Sequence, residues 1–214
     1  MLEKTSNLHK LLNGILFPLR ALFLPEDDFL FLSSLRNERM RNVAEFCSSF
    51  PVLDIGCGEG NVFINDFIGK DNGVGVDCFR YSGIEVFVGD MEKLPFFDDS
   101  FSTITLIAVG GHIPKSKRVA EFAEFSRVLK PNGKLIMTEG EPITQYLNHK
   151  WAEFFFALQG KKDMDSKRGM DDEEEYCMPK EEIFSYLNSP PLKLVHIKKF
   201  QWGLNTIYIA KKDA

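Results

Sequence analysis

The 214-residue chain has no Cys-x-x-Cys pair, and its four cysteines (Cys47, Cys57, Cys78, Cys177) and four histidines are scattered. Without grouped His, Cys, Asp or Glu at metal-ligand spacing, a structural zinc site is not expected. Scattered thiols without a disulfide framework read as reduced, which points to a cytoplasmic location. No run of about 20 apolar residues is present, so no membrane-spanning helix and no stable membrane insertion are expected. The apolar stretch "LLNGILFPLRALFL" is interrupted by Asn13, Pro18 and Arg20, and no small-residue cleavage site follows, so it is not read as a signal peptide. The net charge is −5, with no Lys/Arg cluster. A phosphate-neutralising surface is therefore missing, which disfavours a nucleic-acid partner. The composition is otherwise that of a globular domain long enough to bury its own core, with 20 phenylalanines as its excess.

What is there changes character near residue 50. Residues 8–24 repeat apolar side chains at helical spacing (Leu8, Leu11, Leu12, Ile15, Leu16, Leu19, Leu22, Phe23), with Pro18 set to kink the helix. A second helix is expected over about 29–47. From 52 onward short β-rich runs alternate with helical ones. Strands are expected at 52–55, 73–76, 84–90, 102–109 and 134–139, with helices over about 60–69 and 115–129 and a Pro-Asn-Gly turn at 130–133. This alternation implies an α/β fold, a parallel sheet with helices on both faces. Residues 140–180 break the rhythm with an aromatic helix, "YLNHKWAEFFFAL", and a polar acidic run, "KKDMDSKRGMDDEEEY", read as a solvated loop. A helix at about 179–188 then precedes two strands, 192–200 and 204–210, joined so tightly that they must pair antiparallel.

The chemistry concentrates in "PVLDIGCGEGN", where a strand ends in Asp54 and glycines follow at alternate positions, Gly56, Gly58 and Gly60. In a parallel sheet ligands bind beyond the carboxyl ends of the strands, and a Gly-rich turn there lets backbone approach a ligand. A dinucleotide fingerprint needs a third glycine where Asn61 stands, and the P-loop pattern is absent. Asp54 and Glu59 flank the turn, which suits a ligand with a positive end better than a phosphate.

At this point the chain resembles the class I S-adenosylmethionine (SAM)-dependent methyltransferases, in their small-molecule, quinone-methylating-like branch. The segments that carry the resemblance are "VLDIGCGEGN", "VGVDCF", "GDMEKLPFFDDSF" and "EFSRVLKPNGKLIM", each at a predicted strand end and in the family's order. The resemblance implies a Rossmann-like seven-stranded sheet of order 3-2-1-4-5-7-6 with strand 7 antiparallel. It implies residues 1–47 as a helical lid or extension and 48–214 as the methyltransferase domain, with a lid-like insertion at about 140–180. SAM would be the cofactor and S-adenosylhomocysteine the product. Asp54 and the Gly56 backbone would hold the methionine amino end; Gly58 and Gly60 would make room, with Cys57 in the same turn. Asp77 would accept both ribose hydroxyls, Cys78 would lie on the adenine, and Asp90 would bond the adenine amino group beside Met91.

For the acceptor the residues say less. His112, after the fourth strand, is the one general-base candidate there, because imidazole titrates near neutrality; it could equally shape the pocket. The Asn/Asp-Pro-Pro-aromatic motif of nucleic-acid amino-methyltransferases and the Pro-Cys nucleophile of cytosine-C5 enzymes are absent. Glu139 and Glu141 read as solvated loop carboxylates after strand five. The N-terminal helix and the aromatics Trp151 and Phe154–Phe156 are open to several roles: a cover for a small lipophilic or aromatic acceptor, a homodimer contact, plain packing or, for the 8–23 helix, a place on a membrane surface, which its few polar-face cations (Lys10, Arg20) disfavour. The expected function is methylation of such a small molecule. The alternatives are a SAM-binding sensor or scaffold without turnover and, disfavoured by Asn61, a nicotinamide enzyme.

Overall fold

The computed structural model describes residues 35–84, 86–142 and 173–214, together with Leu11, Leu12, Ile15, Leu16, Tyr146 and Lys150. The expected aromatic helix around Trp151, the polar run up to 172 and most of the 8–24 helix lie outside the described residues.

A seven-stranded sheet of order β3-β2-β1-β4-β5-β7-β6 organises the chain. Its strands are β1 (Val52–Ile55), β2 (Gly73–Asp77), β3 (Val86–Phe87), β4 (Phe101–Ile107), β5 (Leu129–Gly140), β6 (Leu192–Phe200) and β7 (Asn205–Lys212). The first five pair in parallel, and β7 runs antiparallel to both β5 and β6. The sheet order and the reversed seventh strand agree with expectation. The short 200–205 connection decides the last pairing, since a parallel crossover needs a far longer return.

Among the described residues three α-helices pack on this sheet, α1 (Leu35–Ala44), α2 (Arg118–Val128) and α3 (Lys180–Leu187). Strand side chains alternate between two cores, as period-two pleating requires. Leu53, Ile55, Leu135, Met137, Tyr208 and Ala210 join Phe122, Phe125, Ile183 and Leu187 from α2 and α3 on one face. Val52, Ile136, Ile207 and Ile209 join Met40, Val43 and Ala44 from α1 on the other, with Phe63 and Ile64. Thus α1 contributes to the sheet's second core. Phe125 is fully buried; truncating such a ring to alanine costs about 3–5 kcal/mol.

Local departures from the expected elements have local causes. The helix expected after the Gly-rich turn is a 3₁₀ turn (Glu59–Asn61) followed by a π-helical segment (Phe63–Ile68), because Gly60 and Asn61 sit at positive φ. Strand β3 is only two residues long and lies at the sheet edge, where a single neighbour supplies hydrogen bonds. Strand β5 starts earlier than expected. Leu129 pairs with Phe101 and Lys134 with Thr103, and the Pro-Asn-Gly segment is accommodated between them with Asn132 at φ 62.

Candidate active site

The carboxyl ends of β1, β2 and β4 open into a cavity of about 540 Å³, within the usual size of small-molecule sites, roughly 300–1,000 Å³. Its apolar wall includes Ile55, Met91, Ile107, Val109 and Ile113, and its polar groups include Asp77, His112, Lys117, Glu121 and Glu174.

The turn after β1 makes the floor. Gly56 has φ +68, and a Cβ there would stand 2.6 Å from a Val109 methyl, so only glycine lets the β1 and β4 ends approach each other. At Gly58 a Cβ would meet nothing within 4 Å, because that position faces open space. Asp77 ends β2 and ties this turn down. Its Oδ2 accepts the Gly58 N–H at 2.9 Å and its Oδ1 accepts the Phe79 N–H at 2.8 Å. An ionised carboxylate has about four acceptor sites, so capacity remains for a diol.

Of the residues singled out from sequence, Gly56, Gly58, Asp77, Cys78, Met91 and His112 line the cavity. The others are not among the residues that line it. Asp54 is buried in β1, and its Oδ1 accepts the Thr105 hydroxyl at 2.6 Å. Burial pushes its carboxyl up to about 7; the Thr105 bond opposes this and nearby Asp77 adds to it. Cys57 is buried, whereas Cys78 is exposed. Asp90, half-buried, uses Oδ1 to accept the Glu92 N–H at 3.1 Å, a local Asx turn. Gly60 holds the turn through its N–H to the Ser82 carbonyl at 2.8 Å.

Two readings of acidic residues need correction. Glu139 is not a solvated loop carboxylate. It lies in β5, 4% exposed, where burial pushes it up to about 7 against bonds from the Met178 and Gly140 N–H groups. Glu173–Glu175 do lie in a loop, with Glu173 exposed, but their carboxylates are partnered by protein groups rather than by solvent alone. Glu173 accepts from the Ser116 N–H and hydroxyl, Glu174 Oε2 stands 3.2 Å from His112 Nδ1, and Glu175 pairs with Lys115 and Arg118. Burial alone would raise Glu175, but Lys115 and Arg118 hold its carboxyl below the usual range. The segment also crosses Gly111, whose carbonyl accepts the Glu175 N–H at 2.8 Å; a Cβ on Gly111 would stand 2.2 Å from the Glu175 carbonyl. Composition suggested solvation, but the cations and hydroxyl of residues 112–118 supply partners that composition cannot reveal.

Sequence reasoning missed four lining residues that carry charge: Arg36 of α1, Lys117 and Glu121 around the start of α2, and Glu174. The Gly-rich turn marks one wall, whereas these come from remote segments that carry no motif. Among the described residues no cluster of His, Cys, Asp and Glu could hold a metal ion, and no helix is long and apolar enough to cross a membrane.

The donor set suits SAM. Asp77 offers acceptors for ribose hydroxyls, Arg36 offers a cation for an amino-acid carboxylate, and Glu59 offers negative charge for an ammonium or sulfonium.

Comparison with known proteins agrees. Residues 53–137 match the family described as methyltransferase domain. The Mus musculus protein named probable tRNA methyltransferase 9B is 39% identical over 92 residues, 40% of this chain and 21% of that protein. The ubiquinone/menaquinone biosynthesis C-methyltransferase UbiE of Neisseria meningitidis is 34% identical over 102 residues, 47% of this chain and 41% of that protein. The chain thus spans less than half the length of the curated relatives it matches. Among solved structures, a Burkholderia thailandensis N1-methyltransferase with bound 1,6-didemethyltoxoflavin and S-adenosylhomocysteine aligns with all of this chain and 94% of that one, at TM-score 0.56 and 13% identity. At that identity the likeness is one of fold. The names of these relatives point to tRNA in one case and to quinone biosynthesis in the other, and so do not separate nucleic-acid from small-molecule acceptors.

Proposed function

We propose that the protein, whose residues 53–137 match the family described as methyltransferase domain, is a class I, SAM-dependent methyltransferase and transfers the SAM methyl group to a small molecule that must lose a proton. The observation that carries this reading is the pairing of His112 with Glu174 at the cavity wall, 3.2 Å apart. If Nδ1–H donates to the Glu174 carboxylate, Nε2 of the neutral ring keeps its lone pair and can take a proton. A hydroxyl, an amine or an acidic C–H is the matching acceptor group. An acceptor already ionised as a carboxylate would need no such base.

The cofactor supplies an activated methyl group, and in-line displacement from it asks mainly for orientation. Asp77 is assigned the ribose hydroxyls, Asp90 and Met91 the adenine edge with Cys78 against its face, and the Gly56 and Gly58 backbone the methionine end. Asp54, behind the turn, acts by holding β1 to β4 through Thr105. Arg36 is assigned the methionine carboxylate. The apolar wall supports an aromatic or lipophilic acceptor, and residues 1–47 and 140–180 are proposed to cover it. A net charge of −5 and the Glu173–Glu175 run beside the cavity support a small acceptor over a polyanion.

Calorimetric titration with SAM, S-adenosylhomocysteine and NAD, then methyl transfer to a panel of phenols, amines, quinols and tRNA, tests this. Binding of both sulfur nucleosides but not NAD, and product formation with a small acceptor, is expected. Turnover on tRNA alone would overturn the acceptor class, and absence of nucleoside binding would overturn the function.

A further inference from the structure

Glu121 is a carboxyl group on a face of α2 that otherwise meets the core. Its neighbours on that face are Arg118, Phe122, Phe125 and Val128, and it is itself 5% exposed. The other buried-side acid of the helix is spent on structure: Glu124 accepts the Leu94 N–H at 2.7 Å and pairs with Arg127 at 2.7 Å. Glu121 has no such duty. Among the described residues its side chain makes no hydrogen bond and no ion pair, and it lines the cavity. The residue is nearly buried, yet its carboxyl oxygens are not sealed off and open on the cavity, whereas leucine would serve the packing alone. Its position makes sense if a donor arrives with a ligand.

The surroundings indicate which part of the ligand. Gly89 and Met91 line the same cavity, and Asp90 and Glu92 are close enough to act on Glu121 electrostatically. Glu121 therefore sits where the loop after β3 closes the cavity, the end assigned above to the adenine ring. Burial pushes Glu121 up to about 7, Lys117 one turn away opposes this, and Glu92 and Asp90 add to it.

We propose that Glu121 is a second base-reading residue, taking one N–H of the adenine amino group while Asp90 takes the other, and so selecting an aminopurine over a deaminated one. Adenine's exocyclic amine carries two hydrogens on one nitrogen, which two carboxylates can share. A hypoxanthine O6 in the same place would set oxygen against oxygen. This inference rests on the SAM-binding reading and adds to it the residue that discriminates the base.

The test is calorimetric titration of the full chain at about pH 8 with S-adenosylhomocysteine and with its deaminated analogue, S-inosylhomocysteine. Wild type should favour the adenine compound. Glu121→Leu should lose tenfold or more in affinity for it, with the preference between the two compounds reduced to a few-fold. Glu121→Gln, which keeps an acceptor oxygen, should retain most of the adenine affinity. The melting temperature of ligand-free Glu121→Leu should equal or exceed that of wild type, which separates lost binding from lost folding. A folded Glu121→Leu with wild-type affinity and preference would overturn the inference while leaving SAM binding intact. A wild type that binds neither nucleoside would overturn both readings.

Discussion

His112 and Glu174 lie 62 residues apart in the chain, yet Nδ1 of one stands 3.2 Å from Oε2 of the other, with the Glu174 side chain only 6% exposed. A buried carboxylate facing an imidazole at a cavity wall orients the ring. His112→Ala should therefore leave S-adenosylhomocysteine affinity unchanged and slow methyl transfer roughly 100-fold. Glu174→Gln should lower kcat about tenfold with little change in acceptor KM, because the ring keeps its place but loses its fixed orientation. Single-turnover kinetics check both. A fall in nucleoside affinity with unchanged turnover would show that His112 shapes the cofactor pocket instead.

Asp77 is asked to do two things, to hold the Gly58 turn and to accept from ribose. Asp77→Ala should weaken SAM binding by about 1.5–3 kcal/mol, the worth of charge-assisted hydrogen bonds. Calorimetry reads this directly, and affinity equal to wild type would reduce Asp77 to a strut for the turn.

Arg36 reaches the cavity from α1, which is anchored in the second core by Met40, Val43 and Ala44. Arg36→Ala should weaken S-adenosylhomocysteine about tenfold and leave 5′-methylthioadenosine, which lacks the amino acid, unaffected. Equal losses for the two ligands would place the effect elsewhere than on the carboxylate.

Arg118 is fully buried and joins three segments. Nε donates to the Ile113 carbonyl at 3.0 Å, NH1 to Glu182 at 2.5 Å and NH2 to Glu175 at 3.1 Å. Arg118→Ala should cost about 3 kcal/mol, the low end for a broken buried pair, since Glu175 and Glu182 keep about a third of their side-chain surface exposed. Denaturant melts measure the loss, and faster amide exchange at Tyr176–Met178 should accompany it. Wild-type stability would mean the two glutamates do not depend on this cation.

Stability should also depend on pH through the buried acids. Asp54 stands near 7 when folded against an ordinary 3.8, so the folded chain holds its proton longer than the unfolded one does. Its stabilising share is complete below about pH 4 and is lost as pH rises to about 7. Asp54→Asn keeps an oxygen for the Thr105 hydroxyl and cannot ionise. It should exceed wild-type stability at pH 8 by on the order of 1–3 kcal/mol and match it near pH 4. A difference independent of pH would contradict this assignment.

The alternation of strands and helices, the reversed seventh strand and the Gly-rich floor of the cavity were legible from sequence because they depend on near neighbours, whereas the strand order came from the resemblance. Apolar runs of strand length, a tight 200–205 connection and glycines after a strand each act over a few residues. The resemblance joined them into one topology. Asp77 and Met91 were legible for the same reason, as residues just past strand ends.

Sequence by itself thus determined the strands, the reversed pairing of the last two and the Gly-rich turn at which the cavity opens. Tertiary structure alone decided the rest of the cavity. Arg36, Lys117, Glu121 and Glu174 come from segments separated by tens of residues, and no local pattern marks them. The acidic run at 173–175 reads as solvated because composition counts charges and cannot see Ser116, Lys115, Arg118 and His112 across the fold. Glu139 reads as a loop acid because strand β5 extends past the point where its apolar run ends. A side chain's partners, and hence its charge state, are set by packing between distant segments. That is why the scaffold was readable in one dimension and the chemistry of its acceptor end was not.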